Sequence, residues 1–258
     1  MDVVSNSPAL WSALLPRPAP DAHKYHRGHS IILGASNYTG ATRLAAEACS
    51  RIGSGLVTVL NATQADVYRA TLPADIMVRA DRIDALNRPT TLLAGPGGCD
   101  DDQARQLLAA DPELPLILDA DAIRLSPELS SRTCVLTPHA AEFERYFQTA
   151  ADPSTDQAAT AAQSIGHVMV LKGPYTVIAA PDGRVALNTT ASPYLAKAGT
   201  GDVLAGLITG LVAQGMPPFE AACAAVWIHG QAGKRIGPGL IPQDIVGELR
   251  SILKDLLG

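Results

Sequence analysis

The feature that most constrains this chain is a repeated punctuation, in which short apolar runs end in glycine-rich loops and give way to helical patterns. Residues 30–33 run into Gly34-Ala35-Ser36-Asn37-Tyr38-Thr39-Gly40 before a helical stretch at 41–52. Residues 91–94 run into Gly95-Pro96-Gly97-Gly98 before a helical stretch around 102–109. Residues 56–60, 116–118 and 134–136 are further apolar runs. Strands apolar along their whole length are buried on both faces, so the alternation predicts an α/β class with a mainly parallel sheet covered on both sides. After residue 167 the pattern changes: runs at 167–171, 175–179 and 184–187 follow closely, and Pro181-Asp182-Gly183 marks a hairpin turn. That end of the sheet is expected to be antiparallel.

The last third reads as helices at 202–213, 218–235 and 243–257, with Gly206 and Gly210 on one helix face as sites of close packing. The uncharged stretch 203–219 is broken by Thr209, Gln214, Pro217 and Pro218, and is too short to span a bilayer. Residues 1–22, with Pro16, Pro18 and Pro20 in alternation, are expected to form an N-terminal arm or linker, and residues 23–258 a single domain. Residues 1–20 lack a basic region followed by an apolar one, so no signal peptide is expected and a cytoplasmic location is.

Composition removes several functions. A net charge of −5 without a block of like charges gives no footprint for nucleic acid or an anionic membrane. Cys49, Cys99, Cys134 and Cys223 are far apart and lack histidines at ligand spacing, so buried free thiols are expected and no metal cage.

The segment Ala198-Gly199-Thr200-Gly201-Asp202 leads directly into an apolar helix. Small residues at a helix start leave backbone N–H groups facing open space, and the helix dipole favours an anion there. Gly199, Thr200 and Gly201 therefore form a candidate phosphate cradle. Asp202 reads either as the N-cap of that helix or as a base that takes a proton from a hydroxyl attacking a phosphoryl group. The loop 34–40 lacks the dinucleotide fingerprint and the P-loop lysine, but three glycine-rich loops behind three strands point to a ligand at the carboxyl edge of the sheet. His139 could cap the helix after residue 136 or contact a ligand, and Lys172 could meet a phosphate or point into solvent. Asp119 and Asp121 could hold a metal or make an Asx turn. His229 reads as an interior histidine.

In order along the chain, His23-Lys24-Tyr25, Arg27-Gly28-His29, Gly40-Ala41, Gly53-Ser54-Gly55-Leu56-Val57-Thr58-Val59, Gly95-Pro96-Gly97, Leu118-Asp119-Ala120-Asp121-Ala122, Pro138-His139 with Glu142, Val170-Leu171-Lys172-Gly173, Gly199-Thr200-Gly201-Asp202-Val203-Leu204-Ala205-Gly206, and His229-Gly230 with Ala232-Gly233 resemble the ADP-dependent NAD(P)H-hydrate dehydratase family. The resemblance spans essentially residues 23–258 and implies a ribokinase-like three-layer α/β/α sandwich. It implies dehydration of the S epimer of hydrated NADH or NADPH, consuming ADP with Mg²⁺ and leaving AMP and phosphate. It places Ala41, Gly97, His139 and Asp202 at hydrate-contacting positions, with Asp202 as the catalytic base. Lys172, Gly173, Pro174, Tyr175, Thr176 and Gly201 fall at nucleotide-contacting positions. It further implies a homo-oligomer, a tetramer. Many bacterial relatives carry an epimerase domain ahead of this one, for which 22 leading residues offer no room, so a separate epimerase is expected or the R epimer epimerises unaided.

The chain departs from the family pattern at Ala191-Ser192-Pro193, where Gly-Asn-Pro is common, and at Lys234, where an Asp is usual. The rival readings are a kinase for a small hydroxylated metabolite, which the same helix start permits, and a nucleotide-binding sensor without turnover.

Overall fold

Consecutive residues of the central strands turn to opposite faces of one sheet, and both faces are apolar. Ile32 faces one core with Val57, Val59, Leu93 and Ile117, while Ile31 and Leu33 face the other with Leu92, Leu116 and Leu118. This period of two inside continuous apolar runs is what a sheet covered on both sides requires. The computed structural model describes residues 2–86, 88–148 and 154–258.

The described strands are β1 (Val3–Ser5), β2 (His29–Leu33), β3 (Leu56–Leu60), β4 (Ile76–Arg79), β5 (Thr91–Ala94), β6 (Leu116–Leu118), β7 (Cys134–Leu136), β8 (Val168–Leu171), β9 (Thr176–Ala179) and β10 (Val185–Asn188). Their order across the sheet is β1-β10-β9-β8-β7-β6-β5-β2-β3-β4. Pairing is parallel except on the two sides of β9, which runs against β8 and β10. The helices are α1 (Thr39–Ile52), α2 (Ala65–Thr71), α3 (Asp101–Ala109), α4 (Ala140–Phe147), α5 (Thr155–Ile165), α6 (Thr200–Ala213), α7 (Pro218–Ile236) and α8 (Pro242–Leu257). Residues of α1, α6, α7 and α8 share the first core, and those of α3, α4 and α5 share the second with the 3₁₀ segment Ala120–Leu129. Three layers result, α/β/α.

The N-terminal stretch departs from the expected arm. β1 pairs in parallel with β10, and Asn6 Nδ2 donates to Asn188 Oδ1 at 3.0 Å and to the Cys223 carbonyl at 2.8 Å. Trp11, 1% exposed, packs edge-on against Trp227 at 5.6 Å. Residues 3–15 therefore pack on the domain, through the pairing of β1 and the burial of Trp11 and Leu15 in its core. β1 also leaves the reversed strand β9 third from its edge.

Gly206 and Gly210 do allow close packing: a methyl group at Gly206 would strike the Ala45 carbonyl, and one at Gly210 would strike Ile52. The α6 backbone thus lies directly on α1. Among the described residues no helix is long and apolar enough to cross a membrane.

Candidate active site

Because β2, β5, β6, β7 and β8 run the same way, the loops behind them meet along one edge, and the start of α6 faces that edge. Two of the loops are locked together. Thr42 Oγ1 accepts from the Ala35 N–H at 3.0 Å and donates to the Pro96 carbonyl at 3.1 Å. Gly97, at φ +86°, lies against the Tyr38 carbonyl with no room for a side chain. Ala41, on the first turns of α1, and Gly97 are both half-buried beside each other's loops.

Three neighbouring strands then contribute one polar line. Asp119 follows β6, Thr137 follows β7 and Lys172 follows β8. Asp119 Oδ1 accepts from Thr137 Oγ1 at 2.7 Å and from Lys172 Nζ at 3.0 Å. Burial works against the Lys172 ammonium, but Asp119, Glu142 and Asp202 outweigh it and raise its pKa, so Lys172 is a fixed cation. The alternative of a solvent-facing lysine does not hold, because its ammonium is paired with Asp119 and its side chain is only 21% exposed. Asp119 is the counter-ion of Lys172. Sequence reasoning missed Thr137, whose one signal is its place directly before Pro138-His139.

The start of α6 closes the line from above. Gly199, at φ +96°, is the N-cap, so Asp202 lies in the first turn and is not the cap. A methyl group at Gly201 would sit 3.5 Å from Lys172 Nζ, which places the ammonium beside the helix terminus. The Thr200 N–H already donates to the Lys197 carbonyl at 3.3 Å, and Thr200 Oγ1 donates to the Leu195 and Lys197 carbonyls at 2.7 and 2.8 Å. Thr200 therefore braces the turn, and among the described residues the amides of Gly199, Gly201 and Asp202 have no protein partner.

Burial, the Asp119 charge and Glu142 push the Asp202 carboxyl up to about 7, against the pull of Lys172. A carboxylate poised there can accept a proton at neutral pH and hold it. His139 caps α4: its Nδ1 accepts from the Glu142 N–H at 3.2 Å, and Glu142 Oε2 accepts from the His139 N–H at 2.9 Å. Its ring is half-exposed at the same edge, 3.3 Å from Glu142 Oε1 through Nε2. Gly173, Pro174 and Tyr175 form the exposed turn between β8 and β9, and Thr176 is buried at its foot. Asp121 is exposed, and His229 is buried as expected.

No group of three or more His, Cys, Asp or Glu able to hold a metal occurs among the described residues. All four cysteines are buried and free. Free amides at a helix start, a fixed ammonium and a carboxylate with a pKa near neutrality are the parts needed to move a phosphoryl group onto a hydroxyl.

A family model described as NAD(P)H-hydrate dehydratase matches residues 29–242. An ADP-dependent (S)-NAD(P)H-hydrate dehydratase of Neisseria meningitidis is 33% identical, covering 90% of this chain and 85% of its own length. A bifunctional NAD(P)H-hydrate repair enzyme of Methanopyrus kandleri is 35% identical over 93% of this chain and 52% of its own. The chain spans about half the length of such bifunctional relatives. An ADP/ATP-dependent NAD(P)H-hydrate dehydratase of Bacillus subtilis, co-crystallised with ATP and Mg²⁺, superposes with a TM-score of 0.86 at 27% identity over 99% of both chains.

Proposed function

Because the chain belongs to the NAD(P)H-hydrate dehydratase family, we propose that it dehydrates the S epimer of hydrated NADH or NADPH at the expense of ADP, leaving AMP and phosphate. The observation that carries this reading is the seat of Asp202, a carboxylate with its pKa near 7 beside an ammonium and free helix amides.

ADP lies along the turn Gly173-Pro174-Tyr175 and Thr176, with its terminal phosphoryl between Lys172 and the amides of Gly199, Gly201 and Asp202. The hydrate ring lies against Ala41, Gly97 and His139, with its hydroxyl toward Asp202. Asp202 takes the hydroxyl proton as the oxygen attacks phosphorus, and the bond from phosphorus to the AMP oxygen breaks. The amides and Lys172 stabilise the charge in flight, an environment in which one well-placed donor is worth about 10²–10³ in rate. Phosphate then leaves the ring carbon with its electron pair, a neighbouring ring carbon loses a proton, and the dihydronicotinamide double bond is restored.

No group of three or more His, Cys, Asp or Glu is available among the described residues, so a Mg²⁺ arriving with the nucleotide would be held mainly by the phosphates, whose charge it would neutralise. The partners in this reading are small molecules, with an epimerase supplying the S form from the R form and a homo-oligomeric assembly, a tetramer, in the cytoplasm. A kinase for a small metabolite would use the same first step and stop at a stable phosphate ester. Phosphate release measured with fresh hydrate and ADP tests the reading: AMP and phosphate appearing together support it, and an accumulating ester overturns it.

A further inference from the structure

His229 lies on α7, 9% exposed, with no part in the chemistry above. Its Nε2 sits 3.0 Å from the Thr200 carbonyl oxygen. A carbonyl only accepts, so Nε2 carries the proton and donates. Burial drives the ring pKa down to about 4, so the histidine is a neutral donor under working conditions.

The bond is informative because of the peptide group it reaches. The Thr200 carbonyl and the Gly201 N–H belong to one planar unit and point in opposite directions. The Gly201 N–H is one of the amides left free at the cradle, and a donor on the carbonyl polarises the N–H at the far end of the same unit. Two more contacts seat the same segment on α7. The bare Cα of Gly230 lies under the Thr190 carbonyl, and Gly233 lies under the Leu195 side chain, while the Leu195 carbonyl accepts from Thr200 Oγ1. The loop from β10 to α6 is thus fixed to α7 at three points, and the one with a polar side chain ends on the cradle.

We propose that His229 is a positioning residue, aiming and polarising the Gly201 N–H toward the transferred phosphoryl. The proposal rests on the dehydratase reading for its kinetic consequence, not for its geometry.

The test compares His229→Leu with His229→Gln, whose amide nitrogen reaches about as far as Nε2. With hydrate and ADP, the leucine variant should lose about tenfold in kcat, less than outright loss of an oxyanion donor, with both KM values within about twofold of wild type. The glutamine variant should recover most of that loss. In the substrate-free protein, the ¹⁵N resonance of Gly201, which senses hydrogen bonding at the preceding carbonyl, should shift upfield in the leucine variant and return in the glutamine variant. Unchanged kcat in the leucine variant, equal losses in both, or an unmoved Gly201 resonance would overturn the proposal. If the leucine variant does not fold, His229→Asn, too short to reach the carbonyl, replaces it under the same expectations. Wild-type protein without turnover would refute the dehydratase reading alone, and the resonance would still decide for or against His229.

Discussion

Lys172 and Asp119 stand 3.0 Å apart just past the ends of two strands separated by one other, and Thr137, just past that intervening strand, donates to the same Asp119 oxygen. The pair therefore spans three strand ends and holds the ammonium against the first turn of α6. Replacing Lys172 by Met removes the fixed cation at the proposed phosphate seat. ADP affinity measured by calorimetry should fall tenfold or more, with the fold retained by circular dichroism.

Burial raises the pKa of Asp202, and the same pair adjusts it further. With its carboxyl at about 7, kcat/KM should fall as pH drops through neutrality, because the protonated acid cannot serve as the base. Asp119 raises the Asp202 pKa and Lys172 lowers it. Asp119→Asn should accordingly move the acid limb to lower pH, and Lys172→Met should move it higher. A pH–rate profile of each variant checks both signs, and a limb that stays in place in both contradicts them.

Asp202→Asn should cost about 10²–10⁴ in kcat while leaving ADP binding within a few-fold of wild type. It should also stabilise the protein at alkaline pH. Burial raises the folded-state pKa of Asp202 above the ordinary aspartate value of 3.8, so the stability associated with the protonated form is fully present below that value. This stability is lost as pH rises through about 7. Melting temperatures of variant and wild type should therefore coincide near pH 4, separate as pH rises toward about 7 with the asparagine variant higher, and stay apart by a constant margin above it.

Gly206 is a test of the scaffold. Its Cα lies on the Ala45 carbonyl, so Gly206→Ala forces α6 away from α1. Overpacking of this kind costs about 1–3 kcal/mol, and thermal unfolding should show a drop of several degrees.

Much of this organisation is legible in the sequence, and the exceptions have physical causes. The interior strands could be read because continuous apolar runs closed by glycine admit few other structures, and the convergence of the loops follows from their being parallel. β1 was hidden because three residues followed by prolines carry no periodicity, and its partner β10 lies about 180 positions away. The short helix α2 has no side-chain cap to announce it. In contrast, α5 opens with a capping box between Ser154 and Gln157, a local signal that could have revealed it. Asp119 was ambiguous between metal ligand and turn former because its counter-ion is 53 residues away. Asp202 proved to lie three residues inside the cap, a distinction that depends on the backbone angles of Gly199.

The central claim is a dehydration driven by phosphoryl transfer and centred on Asp202. It is tested most directly by following the dihydronicotinamide absorbance of freshly prepared hydrate on addition of the protein and Mg²⁺, with ADP and ATP in parallel. Recovery of the band, with one phosphate released per cofactor restored and no recovery with Asp202→Asn, is the expected result. A stable phosphorylated hydrate, or nucleotide binding without any recovery of the band, would contradict it.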